Sequence, residues 1–133
     1  MILLDTHTLL WLDSGDSKLG AQARERIDDA LQEEELAASA ISFWEIAMLL
    51  ERGRIDLGLP PLLWRRDLLN AGLVEIPVSG EIGIAAATLE SFHGDPADRL
   101  ITATSVLREA QLFTADEKIL RWPGALERHD ARR

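Results

Sequence analysis

The sequence predicts an α/β fold: a three-layer α/β/α sandwich around a central parallel sheet of four to five strands. Three observations carry that prediction. Ile2, Leu3 and Leu4 form a continuous apolar run rather than an alternating one, the pattern of a strand covered by helices on both faces. Strand-like and helix-like segments alternate along the chain with short connections. No repeat, linker or low-complexity stretch interrupts the 133 residues, so residues 1–133 are expected to form one domain.

Taken in order, the first strand ends at Asp5, where the chain leaves the core. Residues 6–12 are apolar enough for a short buried helix containing Trp11, broken by Asp13-Ser14-Gly15-Asp16. Residues 19–34 read as an amphipathic helix with Ala23, Ile27, Ala30 and Leu31 on one face. Residues 36–39 are a second strand, although poor in β-branched residues. Ser42 then opens a helix through Phe43, Trp44, Ile46 and Leu50, closed by Gly53. A loop or short extended arm over 54–59 precedes Pro60 and Pro61, which start a helix reaching about residues 70–72. Residues 73–78 make a third strand and 81–92 a helix. Asp95-Pro96 caps a long helix through Ala110, and residues 111–114 are a fourth strand. A short helix follows Asp116, Pro123-Gly124 breaks it, and residues 127–133 are expected to fray.

Composition narrows the chemistry. There is no cysteine, hence no disulfide framework, thiolate metal site or cysteine nucleophile, which fits a reducing cytosol. The N-terminal apolar run lacks the basic flank of a signal peptide, and no stretch approaches a membrane span, so a cytoplasmic location is expected. The net charge of −9 argues against a broad nucleic-acid-coating surface. Much of it is concentrated in residues 1–35, which hold nine acids against three bases.

Four acids fall at or near predicted strand-to-helix junctions: Asp5, Glu45, Asp98 and Asp116. Each has a local explanation. Asp5 and Asp116 suit helix caps, Ser42 and Glu45 suit a capping box, and Asp98 follows the Asp95-Pro96 cap near the positive helix end. In a parallel α/β sheet, however, such junctions lie along one edge, where ligands bind. Several carboxylates converging there suit a hard cation with oxygen ligands, Mg²⁺ or Mn²⁺. Without one they would repel each other and raise their own pKa values. Bound cations of this kind activate water and stabilise leaving oxygens in phosphodiester hydrolysis.

Met1-Ile2-Leu3-Leu4-Asp5-Thr6-His7, Ser42-Phe43-Trp44-Glu45-Ile46, Asp95-Pro96-Ala97-Asp98-Arg99-Leu100-Ile101 and Leu112-Phe113-Thr114-Ala115-Asp116 resemble the successive motifs of the PIN domain. Their order and spacing are similar to those of VapC-type toxins of bacterial toxin–antitoxin pairs. The likeness spans nearly the whole chain, weakest over 54–72 and past Leu120. It implies a Mg²⁺-dependent endoribonuclease acting on RNA, with Asp5, Glu45, Asp98 and Asp116 as an acidic quartet. Asp5 and Asp98 would be the most direct metal ligands, while Glu45 and Asp116 would orient water or hold a second ion. Thr6, Ser42 and Thr114 would be hydroxyl partners, and Arg99 would hold a carboxylate or meet a phosphate. The resemblance also implies a VapB-like antitoxin partner and a homodimer.

Other residues carry two readings. Arg52, Arg54, Arg65 and Arg66 suit either a phosphate-binding patch or scattered solvated arginines. Trp44 and Trp64 offer stacking faces, although Trp44 sits in an apolar run that suits a core or a dimer interface. His7, His93 and His129 are not at ligand spacing, and His7 is expected to make a local hydrogen bond. A haloacid-dehalogenase-type phosphatase would want a second Asp where His7 stands, and a receiver domain would want an early acidic pair at a strand end. The rival from another class is a non-catalytic PIN-fold module binding RNA or protein, which loss of an acid would favour. All four acids are present.

Overall fold

A computed structural model describes residues 1–133. The elements run β1 (Ile2–Leu4), α1 (Thr6–Ser14), α2 (Ala21–Gln32), β2 (Leu36–Ser39), α3 (Ala40–Glu51), α4 (Pro61–Asn70), β3 (Val74–Ile76), α5 (Gly80–Ala87), α6 (Pro96–Arg108), β4 (Gln111–Thr114), α7 (Glu117–Leu120) and β5 (Arg128–Asp130). The five strands form one parallel sheet in the order β3-β2-β1-β4-β5.

Strand pleating sorts the core into two layers. Ile2 and Leu4 of β1, Leu36 and Ala38 of β2, and Phe113 of β4 meet Leu9, Ala23, Ile27, Ile46 and Trp64 of α1 to α4. The alternate residues, Leu3, Ala37 and Leu112, meet Ile82, Ala86, Ile101, Ala103 and Ile119 of α5, α6 and α7 on the opposite face. Leu3, Leu4, Leu112 and Phe113 are fully buried. The apolar run at the N-terminus is therefore the central strand of a sandwich covered on both faces.

Four boundaries differ from expectation. The third helix starts at Ala40, because Ser39 takes the cap and accepts from the Ile41 amide at 3.2 Å. That moves Ser42 and Glu45 inside the helix and abolishes the capping box. The helix expected over 81–92 stops at Ala87, and the third strand contracts to Val74–Ile76. Residues 128–130, expected to fray, instead pair with β4, aligning Leu112 with Arg128 and Thr114 with Asp130. Gly20 explains what anchors this tail: its amide donates to Ala131 O at 2.8 Å and the Gln22 amide to Arg133 O at 2.9 Å. A Cβ at Gly20 would lie 2.1 Å from the Arg133 backbone, so only glycine permits the approach.

Candidate metal centre and active site

The carboxyl ends of β1, β2 and β4 open onto a cavity of about 440 Å³ lined by Asp5, Thr6, His7, Trp11, Glu45, Asp95, Asp98, Ala115, Asp116 and Arg132. All four acids singled out from the sequence line it, with Asp95 as a fifth.

Asp5 caps α1 and lines the cavity at once. Its backbone is extended, and Oδ1 accepts from the Thr8 amide at 2.9 Å. Oδ2 accepts from the hydroxyl of Thr114, delivered from the neighbouring end of β4. The carboxyl is only 6% exposed, and burial pushes its pKa up against the opposing pull of those hydrogen bonds. Thr6 sits one residue on. Its hydroxyl bonds to Glu45 Oε1 and lies 3.0 Å from the Ser42 hydroxyl, which is fully buried. Because α3 begins at Ala40, Glu45 is carried a turn into the helix, where it meets Thr6. Burial raises its pKa too, and Asp95 and Asp5 raise it further. Thr6 and Thr114 thus bond to Glu45 and Asp5, and Ser42 lies against Thr6.

The opposite flank is built from α6 and α7. Asp95 caps α6, accepting from the Asp98 amide at 3.0 Å, with Pro96 at the first helical position. Asp98 in the first turn is pushed up to about 6, chiefly by burial, with Asp95 and Asp116 adding repulsion. Asp116 caps α7 through Oδ1, which accepts from the Lys118 amide at 2.8 Å, and its own amide donates to Thr114 Oγ1 at 3.0 Å. Thr114 therefore touches Asp5 and Asp116 together.

Several residues depart from expectation. Arg99 meets neither a carboxylate nor the cavity. Its guanidinium donates to the carbonyls of His93 (2.9 Å), Ala86 (2.9 Å), Leu89 (3.4 Å) and Phe92 (2.8 Å). His93, given no role from sequence, places Nε2 at 2.7 Å from Asp98 Oδ2. Ligand atoms of His93, Asp98 and Asp116 all lie within 4.8 Å of one another. His93 lies in the irregular segment before α6, five residues from Asp98 in the first helical turn, so no periodic signal marks that contact. Trp64 is buried and donates Nε1 to Asp13 at 2.8 Å, so it offers no stacking face. Trp44 is 52% exposed, outside the core. Trp11, Arg132 and Asp95 line the cavity unanticipated. None of Arg52, Arg54, Arg65 and Arg66 lines it, and Arg65 is committed to Glu75 by two 2.7 Å bonds.

The donor set fits a hard divalent cation: five carboxylates, the His7 imidazole on the lining and that of His93 against Asp98, no thiolate, and a single guanidinium. That guanidinium, Arg132, is itself held by Asp130 and Glu117, each at 2.7 Å, leaving the carboxylates across the cavity uncompensated.

Comparison with known proteins accords with this geometry. The family model of the PIN domain matches residues 2–124. The chain is 36% identical to Ribonuclease VapC22 of Mycobacterium tuberculosis over 119 residues, 89% of this chain and 88% of the relative. Among solved structures it resembles a DNA-bound VapBC complex of Salmonella typhimurium, with TM-score 0.69, 17% identity, and 97% and 96% of the two chains covered. VapBC2 of Rickettsia felis, bound to a DNA fragment from its promoter, gives TM-score 0.68 at 18% identity, covering 98% and 100%.

Proposed function

The chain belongs to the PIN-domain family, and on that premise we propose that it is a Mg²⁺-dependent endoribonuclease of the VapC toxin kind. Asp5, Glu45, Asp98 and Asp116 form its acidic quartet. The observation that carries this reading is convergence: acids from residues 5, 45, 98 and 116 line one cavity at the carboxyl edge of the sheet.

A divalent cation bound there supplies charge neutralisation, a more acidic water and stabilisation of the leaving oxygen. Asp5 and Asp98 would hold it, and Asp116 would add a carboxylate from the α7 cap. Mn²⁺ suits the same donors. The protein does the rest by orientation. Thr114 fixes Asp5 and Asp116 against each other, and Thr6 fixes Glu45 through Oε1, leaving Oε2 without a protein partner. That free oxygen accepts the proton of a water attacking the scissile phosphorus. As the new P–O bond forms, the ester P–O bond breaks and the departing oxygen takes a proton from solvent. Burial of Asp5 and partial burial of Glu45 and Asp98 strengthen each of these contacts.

An antitoxin partner belongs to the same reading, because relatives of this shape are seen as toxin–antitoxin complexes. So does a homodimer: Trp44, Leu62 and Ile84 are large apolar side chains left 52%, 78% and 71% exposed. No helix is long and apolar enough to cross a membrane.

The test is incubation of purified, antitoxin-free protein with pooled cellular RNA, with Mg²⁺, with chelator, and as Asp5→Asn. Discrete fragments only in the wild-type Mg²⁺ reaction are expected, and mapping their ends identifies the target. Undegraded RNA in every reaction, with no response of the melting temperature to Mg²⁺, would replace the nuclease by the binding module.

A further inference from the structure

The segment joining α5 to α6 is tied down more heavily than a surface connection requires. Arg99 spends its whole guanidinium on the carbonyls of Ala86, Leu89, Phe92 and His93. Trp122 donates Nε1 to Glu90 O at 2.8 Å, and its ring meets Phe92 edge-on at 5.4 Å. Phe92, 8% exposed, stacks on His93 with centroids 4.4 Å apart. Ser91 is held at φ 58°, a left-handed conformation that non-glycine residues adopt only under constraint.

All these restraints end in the placement of one imidazole. His93 Nε2 lies 2.7 Å from Asp98 Oδ2, with the two side chains 18% and 20% exposed. Asp98 lines the acidic cavity and His93 does not, so the ring stands behind the carboxylate rather than beside it. Asp98 Oδ1 has no protein partner.

We propose that His93 is a positioning residue for Asp98: Nε2–H donates to Oδ2, fixes the carboxylate plane and presents Oδ1 to a divalent cation. Arg99, Phe92 and Trp122 hold the ring in place. This inference rests on the reading of Asp98 as a cation ligand. Its competitor is direct coordination by His93, which the 4.8 Å cluster with Asp98 and Asp116 makes sterically near. An Nε2 that carries a proton for Asp98 cannot also coordinate, so the two arrangements exclude each other.

Mn²⁺ binding, followed by the electron paramagnetic resonance of free and bound ion, separates them. In His93→Ala the dissociation constant for Mn²⁺ is expected to rise by about tenfold or more, the usual cost of removing an outer-shell partner. His93→Gln places an amide N–H near the former Nε2, so its binding is expected to stay within about threefold of wild type. Pulsed measurements on Mn²⁺-loaded His7→Ala, which removes the one imidazole on the cavity lining, are expected to show no directly coordinated ¹⁴N, and metal-free melting curves check that the variants are folded. Unchanged binding in His93→Ala, equal weakening in His93→Gln and His93→Ala, or a strong ¹⁴N coupling in His7→Ala would each overturn the proposal. If wild type binds no Mn²⁺, or Asp98→Asn binds it as well as wild type, the metal assignment of Asp98 fails first and takes this inference with it.

Discussion

On one flank of the cavity, Asp5 and Glu45 are held by hydroxyls that lie on or next to strand ends and on α3: Thr114, Thr6 and Ser42. On the other, Asp98 is held by an imidazole on an irregular segment, and that segment hangs from Arg99. The first flank is as rigid as the sheet itself, since the strand pairing that builds the core also sets Asp5 beside Thr114. The second depends on side chains reaching to backbone carbonyls several residues away. The same type of group is thus positioned by two unlike mechanisms. One is local to the motif and the other runs through tertiary contacts.

The sharpest way to break the comparison is to remove one acid from each flank. Asp5→Asn and Asp98→Asn are each expected to lower RNA cleavage by more than about a hundredfold, beyond the usual cost of an outer-shell loss. Residual cleavage confined to one variant would show that only one flank holds the cation. Next in size is Thr114→Val, which strips the Asp5 carboxylate and the Asp116 amide of a buried partner. Urea unfolding should report a loss of about 1–3 kcal/mol, largely restored by Thr114→Ser. A change no larger than that of an exposed control would remove Thr114 as the brace of the first flank.

Acidity gives a third contrast. Asp5, Glu45 and Asp98 all have folded pKa values above their unfolded ones, Asp98 at about 6 against 3.8. Between those values the folded protein binds more protons than the unfolded chain, so its stability falls as pH rises through the folded values. Metal-free protein should therefore melt a few degrees higher at pH 5.5 than at pH 7.5, and saturating Mg²⁺ should flatten the trend. A metal-free melting temperature that rises over that window would contradict the raised carboxyl pKa values, which burial chiefly causes. In the same vein, Asp98→Asn should raise the metal-free melting temperature and abolish the Mg²⁺-induced shift. Smallest of all, Arg52→Ala with Arg54→Ala should leave cleavage within about twofold, as expected of exposed residues outside the cavity.

The unequal construction also explains what the sequence made legible. The sheet and its two covering layers were readable because Ile2-Leu3-Leu4 and Leu112-Phe113 are apolar on both faces, a pattern only a buried strand needs. Asp5 and Asp116 were readable because their capping geometry is local. Glu45 was found for a different reason from the one that places it: the capping box failed once Ser39 took the cap, yet the motif still pointed to the residue. Arg99 and His93 were misread because their partners are backbone carbonyls and a carboxylate presented by a turn. No spacing rule encodes such contacts. The tail was misread because its seven residues, 127–133, look polar and terminal, whereas Gly20 and β4 supply partners from elsewhere in the chain.

The placement of β1 in the middle of the sheet has a consequence in time. Its two neighbours are β2, about 35 residues downstream, and β4, more than 100 residues downstream. During synthesis the central strand emerges before either neighbour and waits for β4 while more than 100 further residues are made. Long-range pairings of this kind close late and slowly. Asp5 therefore cannot meet Thr114 or Asp116 until more than 100 residues beyond it have been made, and a growing polypeptide carries early acids without carrying the site. Whatever the enzyme cuts, it begins to threaten only after β4 has docked.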